Sequence, residues 1–455
     1  MADLAPFDAG DLAQLKDAGI GLEEARRQRA LLASPPAPLL LERPCVVGDG
    51  IRRLDAREEA DYEARGAALL TRQRVAKFVP ASGAATRMFK DLLAALSGDA
   101  AFPPPAAATV LESAQSFAFF EPWCLALEAA DGKAFAMVLA KGRWREALQA
   151  LLKRPGLDYA SLPKAFLLFH RHAGRARTAL EEHWREAAAL GLKRLHFTLS
   201  PEHDEEFQAL TKALRGLGSQ DLPADLDLSR SFQDPSTDTL AGDGAGGLFR
   251  TPEGRLVLRP GGHGALIHNL QALAQGTDVA LLRNIDNIAH PRLWPRALRA
   301  KRILLGLLDE ATQGSFEAPV RVVGVVPNTG EAGGGPFWVR GLPQAQIVES
   351  AQVSGDPAQK GIFASSTHFN PVDMACRLTD AQGKPFDLAR FMDPGAVFLS
   401  SKSHLGRPLT ALERPGLWNG AMARWKTLFV EMPLETFNPV KTVADLLKPA
   451  HQELP

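Results

Sequence analysis

The chain has 455 residues, 45% hydrophobic and 23% charged, with 52 Lys and Arg against 52 Asp and Glu. Such a length builds one elaborated domain or two to three smaller ones, and the composition is that of a globular protein rather than a fibrous or disordered one. A formal net charge of zero argues against bulk binding to nucleic acid or an anionic membrane and leaves room for a local basic pocket.

Residues 8–33 read as helical and amphipathic, closed by the proline cluster of Ser34-Pro35-Pro36-Ala37-Pro38. A second helix is expected over 54–73, leading into a buried strand at 75–79. The strand breaks into a loop of small residues, Ser82-Gly83-Ala84-Ala85-Thr86-Arg87, and then a helix. Small side chains let the backbone approach a ligand, and amides beside a helix N-terminus hold phosphate. Arg87 offers a forked cation and Lys164, in Leu162-Pro163-Lys164, a point charge. The plainer reading is a tight strand–helix turn and a surface lysine. Between them, residues 91–160 are rich in Ala and Leu and read as a helical insertion beside the loop.

From residue 165 strands and helices alternate. Strands are expected at 165–169, 195–199, 226–232, 255–258, 279–282 and 320–326. Thr178-Ala179-Leu180-Glu181 reads as a capping box opening a helix to Leu190, and Ser200-Pro201 opens the next. Further helices are expected at 265–274, 296–312 and 441–448, and mobile or Gly-rich loops at 233–247 and 328–336. Such alternation predicts an α/β layered sheet with ligands at the carboxyl ends of its strands.

Several later segments carry chemistry. Gly261, Gly262 and Gly264 flank His263 between a strand and a helix. Asp286 ends an apolar strand between Asn284 and Asn287, and Asp373 and Lys402 each follow another apolar stretch. Glu331 precedes the glycines 333–335. Strand-end carboxylates suit a hard cation such as Mg²⁺. His170, His172, His183, His196 and His203 fall on different elements and are expected to be core or solvated residues, not zinc ligands. The aromatic stretch 417–425 is expected to pack rather than bind. Cys45, Cys124 and Cys376 have no metal or disulfide spacing, and no signal peptide or long apolar run is seen, so a cytoplasmic protein is expected.

The loop 82–88 resembles the Gly-Gly-x-Gly-Thr-Arg-Met/Leu loop of the nucleotide-diphospho-sugar pyrophosphorylases, with Ser82 and Ala85 where Gly is usual, and Lys164 resembles that family's Pro-Lys signature. Arg259-Pro260-Gly261-Gly262-His263-Gly264 and Asn284-Ile285-Asp286-Asn287 look like segments of the uridine-sugar group. The chain is also similar to a bacterial domain-of-unknown-function family within that superfamily. The resemblance implies an α/β three-layer sandwich with a mixed, mostly parallel sheet, a helical N-terminal segment over 1–73, a core over 74–340 and a C-terminal part over 341–455. It implies an enzyme joining a nucleoside triphosphate, with UTP favoured, to a sugar 1-phosphate with release of pyrophosphate. Ser82 to Thr86, Gly261 to Gly264 and Glu331 would bind nucleotide or sugar. Arg87, Lys164 and Lys402 would act on phosphates, and Asp286 and Asp373 would hold Mg²⁺. On this reading Asp286→Ala abolishes Mg²⁺-dependent turnover and leaves the fold intact. A glycosyltransferase and a non-catalytic nucleotide-sugar binding protein remain open alternatives.

Overall fold

The structure is a computed structural model that describes residues 7–217, 222, 225–314, 316–330 and 333–453. The chain divides into two compact units, each assembled from three stretches. Residues up to 75, 231–281 and 303–432 make the first, and 76–230, 282–302 and 433 onward make the second.

In the first unit, strands Val46–Val47, Gly50–Arg52, Lys426–Glu431, Val320–Pro327, His368–Arg377 and Val279–Arg283 follow one another in that order. The first three pairings are parallel, while Val320–Pro327 and His368–Arg377 run antiparallel. Val320–Pro327 is buried up to its last residue and apolar except for Arg321, as suits a strand covered on both faces. Two smaller sheets complete the unit. One joins Leu41–Pro44, Gly334–Val339 and Gln346–Glu349; the other joins Leu258–Arg259, Thr239–Gly242, Arg407–Glu413 and Phe398–His404.

The helical stretch expected over 8–33 is made of two helices, Ala9–Asp17 and Leu22–Ala33. Gly19 adopts φ +72, and the Ile20 amide reaches back to the Leu15 carbonyl, a helix-ending motif that needs a residue without a Cβ. The segment 233–247 is not simply a mobile loop. It contains the fully buried strand Thr239–Gly242, whose Leu240 packs with Leu15, Ile20 and Ala25. The glycines 334 and 335 belong to a paired strand rather than a turn. A helix at Pro357–Ala364 has no counterpart among the sequence expectations.

The second unit has parallel strands Val75–Pro80 and Arg194–Leu199, with Asp227–Phe232 beyond them. Five helices, Lys90–Ser97, Pro105–Glu112, Phe120–Asp131, Phe135–Ala140 and Trp144–Leu152, fill the expected insertion. Phe117, Phe119, Trp123 and Tyr159 pack as a ring cluster in its core. The strand expected at 165–169 begins later, as Leu168–His172, because Lys164–Phe166 form a 3-10 turn. It pairs with Arg175–Thr178 ahead of the helix Ala179–Ala189. Thr178 caps that helix, but the reciprocal half of the expected box is not made, since Arg175 and Arg185 hold the Glu181 carboxylate. The expected last helix is a 3-10 turn, Val443–Leu447. Among the described residues no helix is long and apolar enough to cross a membrane.

Candidate functional site

The Val75–Pro80 strand delivers its chain into the loop 82–87. Ala81 stays tied to the neighbouring strand through Thr198 O, and then the backbone turns away to a 3-10 turn at Ala85–Arg87. The returning end of the helical insertion lies against this loop. Ala84 bridges Pro163, Ala85 N–H donates to Leu162 O at 2.9 Å, and the Thr86 hydroxyl donates to Ala160 O at 3.0 Å. One loop amide is thus committed internally, and Lys164 is brought beside the loop. Arg87 is exposed, and a Cβ added at Gly83 would meet open space.

Lys164 points to the carboxylate of Asp286. Its Nζ donates to Asp286 Oδ2 at 2.8 Å and to Val440 O at 2.6 Å. A second ammonium group, that of Lys441, donates to Asp286 Oδ2 at 3.1 Å and Oδ1 at 3.3 Å. Asp286 is 8% exposed. Burial pushes its carboxyl up, but Lys441 and Lys164 together outweigh burial and hold it below the usual carboxylate range. Burial lowers Lys164, and Asp286 works against that. Lys441 keeps 54% of its side chain exposed. Met88 O accepts the Val443 amide, so the chain after the loop also meets the segment carrying Lys441. Sequence reasoning missed Lys441, whose partner lies 155 residues away.

The assignment of Asp286 as the ligand of a resident Mg²⁺ does not fit this arrangement. Both its oxygens accept from ammonium groups, and a cation would have to displace at least Lys441. Among the described residues no group of three or more His, Cys, Asp or Glu is gathered as a metal site.

Arg283, Asn287 and a buried ion-pair cluster support the site from below. Glu186 pairs with Lys77 from the strand that feeds the loop and with Lys301 at 3.2 Å, all three 1% exposed. His183 Nε2 meets Ile285 O at 3.1 Å, one residue before Asp286.

The remaining candidates lie in the first unit. His263 stacks on Trp418 with ring centroids 4.1 Å apart, and its Nδ1 accepts the Leu417 amide at 3.0 Å. Burial lowers its pKa and keeps the ring neutral. Trp418 Nε1 in turn donates to Glu349 at 2.9 Å. A Cβ at Gly264 would sit 2.0 Å from Pro415 O, and Gly262 adopts φ +75, so close packing within the unit already demands these glycines. The 417–425 stretch is largely core, with Leu417, Ala421, Met422 and Trp425 buried. Asp373 is 6% exposed and sits inside the His368–Arg377 strand, opposite Gly324. Lys402 lies on Phe398–His404, the end strand of its small sheet. Glu331 falls outside the described residues.

Residues 8–318 and 310–452 match the model of a domain of unknown function, DUF4301. No curated protein matches the chain. Among solved structures it is similar to the uridine diphosphate N-acetylglucosamine pyrophosphorylase from Trypanosoma brucei at 13% identity and a TM-score of 0.53, covering 97% of this chain and 82% of that one. It is similar also to a UDP-glucose phosphorylase from Trypanosoma brucei at 14% identity and a TM-score of 0.51, covering 96% of this chain and 77% of that one. At these identities the likeness is one of fold: α/β, with a mixed, mostly parallel sheet like that of the nucleotide-diphospho-sugar transferases.

Proposed function

The chain belongs to the DUF4301 family, and we propose that it is a nucleotidyltransferase-like enzyme that joins a nucleoside triphosphate to a sugar 1-phosphate and releases pyrophosphate. The observation that carries the reading is the meeting, within one unit, of Lys164 and Lys441 on one buried carboxylate, with the small-residue loop bridged to Pro163 beside Lys164. Two ammonium groups this close repel each other unless an anion lies between them. Asp286 supplies that anion and aims both lysines before any ligand arrives. An ammonium has three N–H bonds, so Lys164 can pair Asp286 and Val440 O and still offer one to a phosphate oxygen.

In this proposal an oxygen of the sugar phosphate attacks the α-phosphorus, and the bond from that phosphorus to the β-phosphate oxygen breaks. Alignment and charge neutralisation carry such chemistry, with no covalent intermediate. Arg87 and the loop face the terminal phosphates, Lys164 faces the transferring phosphate, and Lys441 takes the role that the sequence suggested for Lys402. Mg²⁺ enters as the counter-ion of the triphosphate. UTP is the favoured triphosphate because the fold neighbours are named for uridine-diphosphate sugars.

The test is a thermal-shift panel of nucleoside triphosphates, nucleotide-sugars and pyrophosphate with and without Mg²⁺, followed by pyrophosphate release with sugar 1-phosphates. A true ligand at a hundred times its Kd stabilises the folded protein by about 2.7 kcal/mol. Triphosphate binding with pyrophosphate release is the expected result. Binding of nucleotide-sugars alone would favour the glycosyltransferase or binding-protein alternative, and no shift with any compound removes the reading.

A further inference from the structure

Lys441 reaches the site on irregular backbone. Between the 3-10 turns Leu434–Thr436 and Val443–Leu447 the segment makes only an isolated bridge, at Pro439. Irregular backbone does not hold a charged group in place by itself, so something else must. The residues just beyond the Val279–Arg283 strand do this. Asn287, 1% exposed, accepts the Asn438 amide at its Oδ1 at 3.0 Å and bridges Pro439. The Val440 amide donates to Asp286 O at 2.8 Å. Arg283, also 1% exposed, donates to Asn287 O, to Asn287 Oδ1 at 3.2 Å and to Thr436 O at 3.0 Å. Asn287 Oδ1 therefore joins the buried guanidinium to the segment that presents Lys441.

We propose that Asn287 is a positioning residue for the anion site: its side-chain oxygen fixes the 436–440 segment so that Lys441 stands beside Lys164 before phosphate binds. This rests on the reading that Lys441 meets a ligand phosphate. Removing the oxygen takes an acceptor from the buried Asn438 amide and from Arg283, and loosens the segment. Lys441 must then be ordered at the moment of binding, which weakens binding without any loss of charge.

The experiment measures pyrophosphate binding by calorimetry on the full chain carrying Asn287→Ala, Lys441→Ala, both changes, or Asn287→Asp. Asn287→Ala and Lys441→Ala are each expected to weaken binding about tenfold, the value of one good hydrogen bond. Because Asn287 acts through Lys441, the double variant should bind no more weakly than Lys441→Ala. Asn287→Asp keeps an oxygen for both donors and should restore slow amide exchange at Asn438 and Val440. Unchanged affinity in Asn287→Ala, or additive losses in the double variant, overturns the proposal. Should Asn287→Ala not fold, Asn287→Ser shortens the acceptor and carries the same comparison. If the parent protein binds no pyrophosphate, the functional reading fails first. Amide hydrogen exchange at Asn438 and Val440 then decides positioning alone: faster exchange in the variant supports it, and unchanged exchange overturns it.

Discussion

Asp286 faces Lys164 and Lys441 with only 8% of its surface exposed. The expectation that its loss would spare the fold assumed a solvated carboxylate at a cleft. The structure instead makes it the counter-charge of two lysines, one of them largely buried. Breaking a fully buried pair by removing one partner costs about 3–5 kcal/mol. Lys441 is half exposed and can return to water, so Asp286→Ala is expected to lower the unfolding free energy by on the order of 2–3 kcal/mol. Denaturant titration reads this directly, and an unchanged midpoint would show that the carboxylate balances no charge in the fold. A strand-end Asp beside Asn residues was legible in the sequence as a chemical position. What faces it was not, because Lys441 carries no local signal and meets Asp286 only through the fold.

The helix Ala179–Ala189 shows the same limit at the scale of an element. Its sequence carries Glu181, Glu182, His183, Arg185 and Glu186, and nine of its residues from Ala179 to Ala187 are buried. Most of its charges find partners: Glu181 with Arg175 and Arg185, and Glu186 with Lys77 and Lys301. Glu182 does not, as neither of its oxygens has a hydrogen-bond partner, although His170 Nδ1 lies 3.3 Å away. Burial pushes its carboxyl up to about 7 from an ordinary 4.5, with Arg177 pulling the other way. The folded protein thus binds this proton more tightly than the unfolded chain, and the Glu182 contribution to stability falls as pH rises from about 4.5 to about 7. Burial lowers His170 and His451 from 6.5 to about 3, so their contribution rises with pH over that interval. Glu182→Gln cancels only the first effect. Its stability relative to the parent is expected to increase between pH 5 and pH 8, by at most ~3 kcal/mol. A difference in melting temperature that does not change with pH would mean that Glu182 does not titrate there.

At the scale of the whole molecule, the α/β alternation was readable because the strands near 75–80, 194–199 and 320–327 are rich in apolar and β-branched residues. Thr239–Gly242 was not, since four buried residues within a Gly- and Asp-rich stretch leave no periodicity to detect. The units themselves are discontinuous: the second needs 76–230, 282–302 and the segment from 433. That last segment contributes Lys441 to the site and places His451 against His170 at 2.9 Å. Truncation before Pro433 is therefore expected to deprotect the second unit, with faster amide exchange along Leu168–His172 and around Asp286. Protection within Val320–Pro327 of the first unit should persist. Equal loss in both units would show that they do not behave as separately stabilised bodies.

The discontinuity also sets an order of assembly during translation. Lys164 and Asp286 are made well before Lys441, so a growing chain can form the neutral Lys164–Asp286 pair while the second cation does not yet exist. A site with balanced charge has little pull on polyanions. Around Asp286 the charge becomes net positive only once residue 441 has been added.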